Sequence, residues 1–156
     1  MPHTILWPTE LSASSLKAIP HINSLAEKYE SQVLALYVAP DLCSLFPAYG
    51  NYPSPELIEK FQGWELERAK KDLRQICADK LGSCPNVSVR ILRGDPVQQI
   101  LKAAENEDVD MIVMTSRGHS FDQVGRPGSE FGKVAREVAK RSPVPVTLVN
   151  PEAEAD

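Results

Sequence analysis

The chain has 156 residues, 42% hydrophobic and 24% charged, enough for one well-buried core and too few for two. Its net charge of -4, with Lys and Arg interspersed among Asp and Glu, argues against a partner such as nucleic acid, whose phosphates need many cations. No apolar run reaches the length of a bilayer crossing and the opening MPHTILWPTE lacks the basic and apolar regions of a secretion signal, so no membrane partner and a cytoplasmic location are expected.

Along the chain, short β-rich runs alternate with helical patterns, the arrangement of a parallel sheet wrapped by helices. The first strand is Thr4–Pro8 (TILWP). Leu16, Ile19, Ile22, Leu25, Ala26 and Tyr29 then recur every three or four residues and predict a helix. Pro20 should kink it, because proline lacks an N–H and crowds the preceding turn. The second strand, Gln32–Ala39 (QVLALYVA), leads into PDLCSLFPAYGNYPS over 40–54. That stretch has no periodicity and exceeds an ordinary connection. A lid or partner contact and a surface insertion packed by Phe46 and Tyr49 are equally open readings of it.

A helix opens cleanly at Ser54-Pro55, a cap followed by proline in the first turn, and carries Leu57, Ile58, Phe61, Trp64, Leu73 and Ile76 on one side. The third strand is Val87–Leu92, and Asp95-Pro96 opens the next helix in the same manner. The fourth strand, Met111–Met114, runs into the glycine-rich stretch MTSRGHSFDQVGRPGSEFGK (114–133). The last helix holds Val134, Ala135, Val138 and Ala139 and stops at Ser142-Pro143. Val144–Val149 forms the fifth strand, with the polar tail PEAEAD after it. Residues 1–150 thus make one domain without internal repeats. Cys43, Cys77 and Cys84 are odd in number and unpaired in spacing, which suggests neither a disulfide framework nor a zinc site.

In an open parallel sheet, ligands settle beyond the carboxyl ends of the strands, where neighbouring connections diverge to opposite faces. The turn Pro8-Thr9-Glu10-Leu11-Ser12 follows the first strand and the glycine stretch follows the fourth. If those strands are neighbours, Glu10 faces the Gly118 region across a gap. Gly118, Gly125, Gly128 and Gly132, ahead of a helix, could gather backbone N–H groups around a phosphate. The stretch matches neither the lysine-bearing P-loop nor the dinucleotide fingerprint. On composition alone, a plain connection outweighs a ligand loop. His119 has no carboxylate, Ser or Cys partner evident in sequence, and paired carboxylates, metal clusters and triads are absent, so dedicated catalysis has little support.

Pro8-Thr9-Glu10-x-Ser12 after the first strand, Gly94-Asp95-Pro96, Asp110-Met111-Ile112-Val113-Met114 before a glycine stretch, and Ser142-Pro143-Val144-Pro145-Val146 occur in this order across nearly the whole chain. Together they resemble the universal stress proteins. The resemblance implies a three-layer α/β/α sandwich, Rossmann-like and of the adenine nucleotide alpha hydrolase type, with a five-stranded parallel sheet in the order 3-2-1-4-5. It also implies a homodimer. Some members bind ATP or AMP, with Mg accompanying ATP; others bind no nucleotide, and turnover is expected to be weak ATP hydrolysis at most. An enzyme such as an adenylyl-transferring ligase would want a HIGH-like or SGGxDS-like turn after the first strand, and PTELS is neither.

The nucleotide-binding members carry G-x2-G-x9-G-S/T after the fourth strand. Thr115 stands at the first glycine, with Ser116 and Arg117 before Gly118 at the second; Gly128 and Ser129 complete the pattern as written. Counting back from Ser142-Pro143 instead puts Gly132 and Lys133 at the final pair. The resemblance accommodates both if the loop has gained about one helical turn, four residues near Arg126–Ser129, which nearly preserves the phase of the last helix. Lys133 and Arg126 are further cations that could reach a phosphate. The family's ribose-binding Asp is replaced by Glu10, while Pro8, Thr9, Val38 and Met114 would surround the adenine. Pro143 and Pro145 cannot donate to a ladder, so the last strand belongs at an edge. Val144, Val146 and Leu148 would present an apolar row there, covered by resemblance with the same segment, 144–149, of a second subunit.

Overall fold

The computed structural model describes residues 3–11, 13–39, 55–82, 86–116 and 130–150. Five parallel strands form one sheet in the order β3-β2-β1-β4-β5: β1 (Thr4–Thr9), β2 (Gln32–Ala39), β3 (Asn86–Arg93), β4 (Met111–Thr115) and β5 (Val146–Val149). The helices are α1 (Ala13–Leu16), α2 (Ile19–Tyr29), α3 (Pro55–Lys80), α4 (Pro96–Asn106) and α5 (Glu130–Arg141). The expected fold class and strand order are therefore observed.

Alternation along the strands builds two core layers. Ile5, Trp7, Val33, Ala35, Val113 and Val149 point to one face and pack with Ile19, Ile22 and Ala26 of α2 and Leu73 and Cys77 of α3. Leu6, Leu34, Leu36, Ile112 and Met114 point to the other and pack with Ile100 and Ala104 of α4 and Val134, Ala135 and Val138 of α5. We call these the first and second faces. The central strand β1 is buried on both, which explains its unbroken apolar run.

The helix expected to kink at Pro20 is instead two helices, α1 and α2. Pro20 lies in the first turn of α2, where its missing N–H costs nothing because no carbonyl awaits it. The apolar residues of α3 also divide. Ile58 and Leu73 are buried, whereas Leu57, Phe61 and Trp64 are 55%, 54% and 58% exposed. The two sets occupy separate stripes of the helix, and Gln62, Ala69 and Cys77 complete the buried one. Ala139 of α5 is exposed as well.

The last strand begins at Val146 rather than Val144. The Ser142 hydroxyl donates to the Val144 carbonyl at 2.6 Å and accepts from the Val144 N–H at 3.1 Å, holding the segment in a turn. β5 does lie at the sheet edge. Val144 and Val146 are half-buried against the second core layer, and of the expected apolar row Leu148 alone is well exposed, at 42%. Asp95 caps α4 as its sequence signature predicts, accepting from the Gln98 N–H at 3.0 Å. Gly94 precedes it at φ 135, a conformation that a side chain would strain.

Candidate functional site

The connection from β1 passes through α1 and α2 on the first face, and α3 returns on that face too. α4 and α5 lie on the second face. β1 and β4 are adjacent, and the helices that come next in the described residues, α1 and α5, lie on opposite faces, so the place beyond the carboxyl ends of the two strands is the topological switch point, where an open sheet forms its crevice.

Side-chain alternation sorts the expected residues between the two faces. Pro8 pairs with Leu36 and falls on the second face, where Met114 is fully buried and Val38 is half-buried. Leu92, beside Val38 in the ladder, and Val97 in the first turn of α4 are half-buried there too. Thr9 turns to the first face and is buried. Its hydroxyl lies 2.8 Å from that of buried Ser15 and accepts from the Leu11 N–H at 3.0 Å. Thr9 thus shapes the turn after β1, with Leu11 at φ 64, and offers the crevice its main chain rather than its side chain.

Glu10 follows, half-buried. Burial raises the phenol of Tyr37, which pairs with Thr9 across β1 and β2, above its ordinary 10.0, and the carboxylates of Glu65 and Glu10 push it the same way. On the β4 side, Thr115 is buried opposite Val149, so its side chain shares the first face with Val113. The Ser116 N–H donates to the Val149 carbonyl at 2.9 Å and is committed to the sheet.

Arg117, Gly118, His119, Gly125, Arg126, Gly128 and Ser129 lie outside the described residues, as does the segment 40–54. Gly132, half-buried, and Lys133, exposed, sit in the first turn of α5. The structure therefore brings Pro8, Val38 and Met114 together on one face, and sets Thr9 and Thr115 on the other. Sequence reasoning missed Ser15 and Tyr37. A serine following the strand-end turn was a signal for Ser15, whereas Tyr37 reads from sequence as an ordinary strand residue. Among the described residues, no group of three or more His, Cys, Asp or Glu could hold a metal ion, and no helix is long and apolar enough to cross a membrane.

Residues 1–150 match the model of the Universal stress protein family. A universal stress protein of Methanocaldococcus jannaschii is 31% identical over 147 residues, covering 93% of this chain and 80% of that protein. The solved structure of MJ0577, from the same organism, superposes with a TM-score of 0.78 at 26% identity and covers 99% of both chains. A universal stress protein of Arabidopsis thaliana, solved with AMP bound, shares the fold at a TM-score of 0.62 and 15% identity, covering 97% of this chain and 94% of its own. This chain belongs to the universal stress protein family.

Proposed function

We propose that this chain binds an adenine nucleotide, ATP or AMP, in the crevice between the ends of β1 and β4, and acts in the cytoplasm as a regulatory stress-response protein. The observation that carries the reading is the switch point itself, on a fold whose Arabidopsis relative was solved with AMP. The residues present fit a nucleoside. Val38, Leu92 and Val97 are half-buried apolar residues at the carboxyl end of the second face, against which an adenine ring could rest. Pro8 would contribute contact, Met114 a buried floor, and Thr9 main-chain polar groups. Glu10 would accept hydrogen bonds from ribose hydroxyls.

Phosphates would be received by backbone N–H groups around Gly118 and by either Gly128-Ser129 or Gly132-Lys133, with Arg117 near and Thr115 and Ser116 fixing where the chain leaves β4. Mg accompanying ATP would supply charge neutralisation. Nucleotide identity would shift the protein between states with different partners, the behaviour of a sensor rather than of an enzyme. A homodimer through the edge segment 144–149 belongs to this reading, because Leu148 is exposed on an edge strand that otherwise ends the sheet.

A second reading is a dimeric interaction module that binds no nucleotide. One observation favours it: the position of the first motif glycine is held by Thr115 with its side chain buried, and the next amide, of Ser116, is already bonded to Val149. The test is to denature purified protein and seek adenine nucleotide by absorbance and chromatography, then to measure thermal shifts with ATP and with AMP. Released nucleotide or a shift supports the first reading. Neither released nucleotide nor any shift leaves the second.

A further inference from the structure

The exposed stripe of α3 is spaced at four, three and four residues: Leu57, Phe61, Trp64, Arg68. On a helix of 3.6 residues per turn this spacing draws one line along the surface, set apart from the buried stripe of Ile58, Gln62, Ala69 and Leu73. Phe61 and Trp64 lie with ring centroids 6.4 Å apart, and the Arg68 guanidinium sits 5.6 Å from the centre of the Trp64 ring. Two large aromatics more than half exposed, side by side on a soluble helix face, mark an interaction surface.

The sequence of that face is complementary to itself when reversed. Pair position n of one helix with position 125 minus n of an antiparallel copy. Phe61 then meets the copy's Trp64, and Leu57 meets the alkyl stem of its Arg68. The flank beside the stripe carries Lys60 and Glu67, seven residues and about two turns apart. Equivalent flanks face each other in an antiparallel pair, so the same two-fold axis puts each Lys60 against the copy's Glu67. Neither Lys60 nor Glu67 forms an ion pair among the described residues. In a parallel arrangement Phe61 would meet Phe61, Trp64 would meet Trp64 and Lys60 would face the copy's Glu65, so the Phe61–Trp64 and Leu57–Arg68 pairings belong to the antiparallel one.

From this pattern we infer that α3 is a second self-association surface, occupied by an antiparallel α3 of another copy of this chain. The contact is distinct from the edge segment 144–149, since α3 packs on β2 and β3 while β5 closes the opposite side of the sheet. Its extent predicts modest strength. Two aromatics and a leucine, each already about half covered, offer far less than the roughly 800 Å² per partner of a stable interface. Association is therefore concentration-dependent.

The test uses full-length protein carrying Leu148→Lys, which removes any edge-strand dimer and keeps the two surfaces separable. Sedimentation equilibrium is expected to show a reversible dimer. Phe61→Glu should abolish it, and Lys60→Glu or Glu67→Lys alone should weaken it on the order of tenfold, because two like-charge pairs form across the axis. The double variant Lys60→Glu/Glu67→Lys should return it to nearly the original strength. In a mixture of unlabelled and nitrogen-15 chains, zero-length carbodiimide coupling should join Lys60 to Glu67 between chains of different label. A monomer at every concentration, a charge swap that does not restore association, or coupling confined to single chains would overturn the inference, the last pointing to a contact within one chain. Retained circular dichroism in each variant excludes unfolding as the cause.

Discussion

Asp110 and Thr4 are joined twice. The Thr4 N–H donates to Asp110 Oδ2 at 2.7 Å, and the Asp110 N–H donates to the Thr4 carbonyl at 2.9 Å. The pair starts β4 beside β1 and so fixes the register of the two strands whose far ends form the crevice. Asp110→Ala should destabilise the fold by about 1 kcal/mol, the worth of a charge-assisted hydrogen bond discounted for its exposure. Asp110→Asn, which keeps an acceptor oxygen, should recover about half. Urea midpoints at constant slope measure both.

Glu30 ends α2 at φ 52, a left-handed conformation, with its N–H bonded to the Ala26 carbonyl. Side-chain-bearing residues are strained there and glycine is not. Glu30→Gly should therefore stabilise the protein by about 0.5–1 kcal/mol, net of the extra freedom glycine gives the unfolded chain. The readout is the thermal midpoint, which should rise; a fall would mean that the Glu30 side chain contributes more than its exposed position implies.

The Tyr37 phenol is held above 10.0, first by burial and then by the Glu65 and Glu10 carboxylates. Folding thus favours the protonated form, and the stability this gives is present below the unfolded value near 10 and lost as pH rises through the folded pKa. Ultraviolet titration at alkaline pH should show Tyr37 ionising above 10.0, a late step. That late step should vanish in Tyr37→Phe and move toward lower pH in Glu10→Gln.

Much of this fold could be read from residues. TILWP and QVLALYVA are apolar on both sides because β1 and β2 lie inside the sheet, and Asp95-Pro96 marks the start of α4 because cap and proline act locally. Less could be read where the outcome depended on neighbours. Leu57, Phe61 and Trp64 look like core by type, yet their stripe faces away from the sheet while Gln62 is buried and accepts from Arg93 at 3.0 Å. Val144 reads as strand, but the Ser142 hydroxyl captures its backbone first. At the candidate site, alternation told which way Val38 and Met114 point once the register was known. The partnership of Thr9 with Ser15 is local, six residues apart, yet it depended on the tight turn at Leu11 that brings α1 back against the end of β1.

A nucleotide held between the ends of β1 and β4 must stabilise the folded chain. Thermal unfolding with AMP or ATP at increasing concentration tests it most directly, in the parent chain and in Glu10→Ala. At about a hundredfold excess over Kd, nucleotide should stabilise the chain by about 2.7 kcal/mol, a rise of roughly 5–10 °C, reached in Glu10→Ala only at higher ligand concentration. An unchanged midpoint with both nucleotides at millimolar concentration, from protein that releases no nucleotide when denatured, would contradict it.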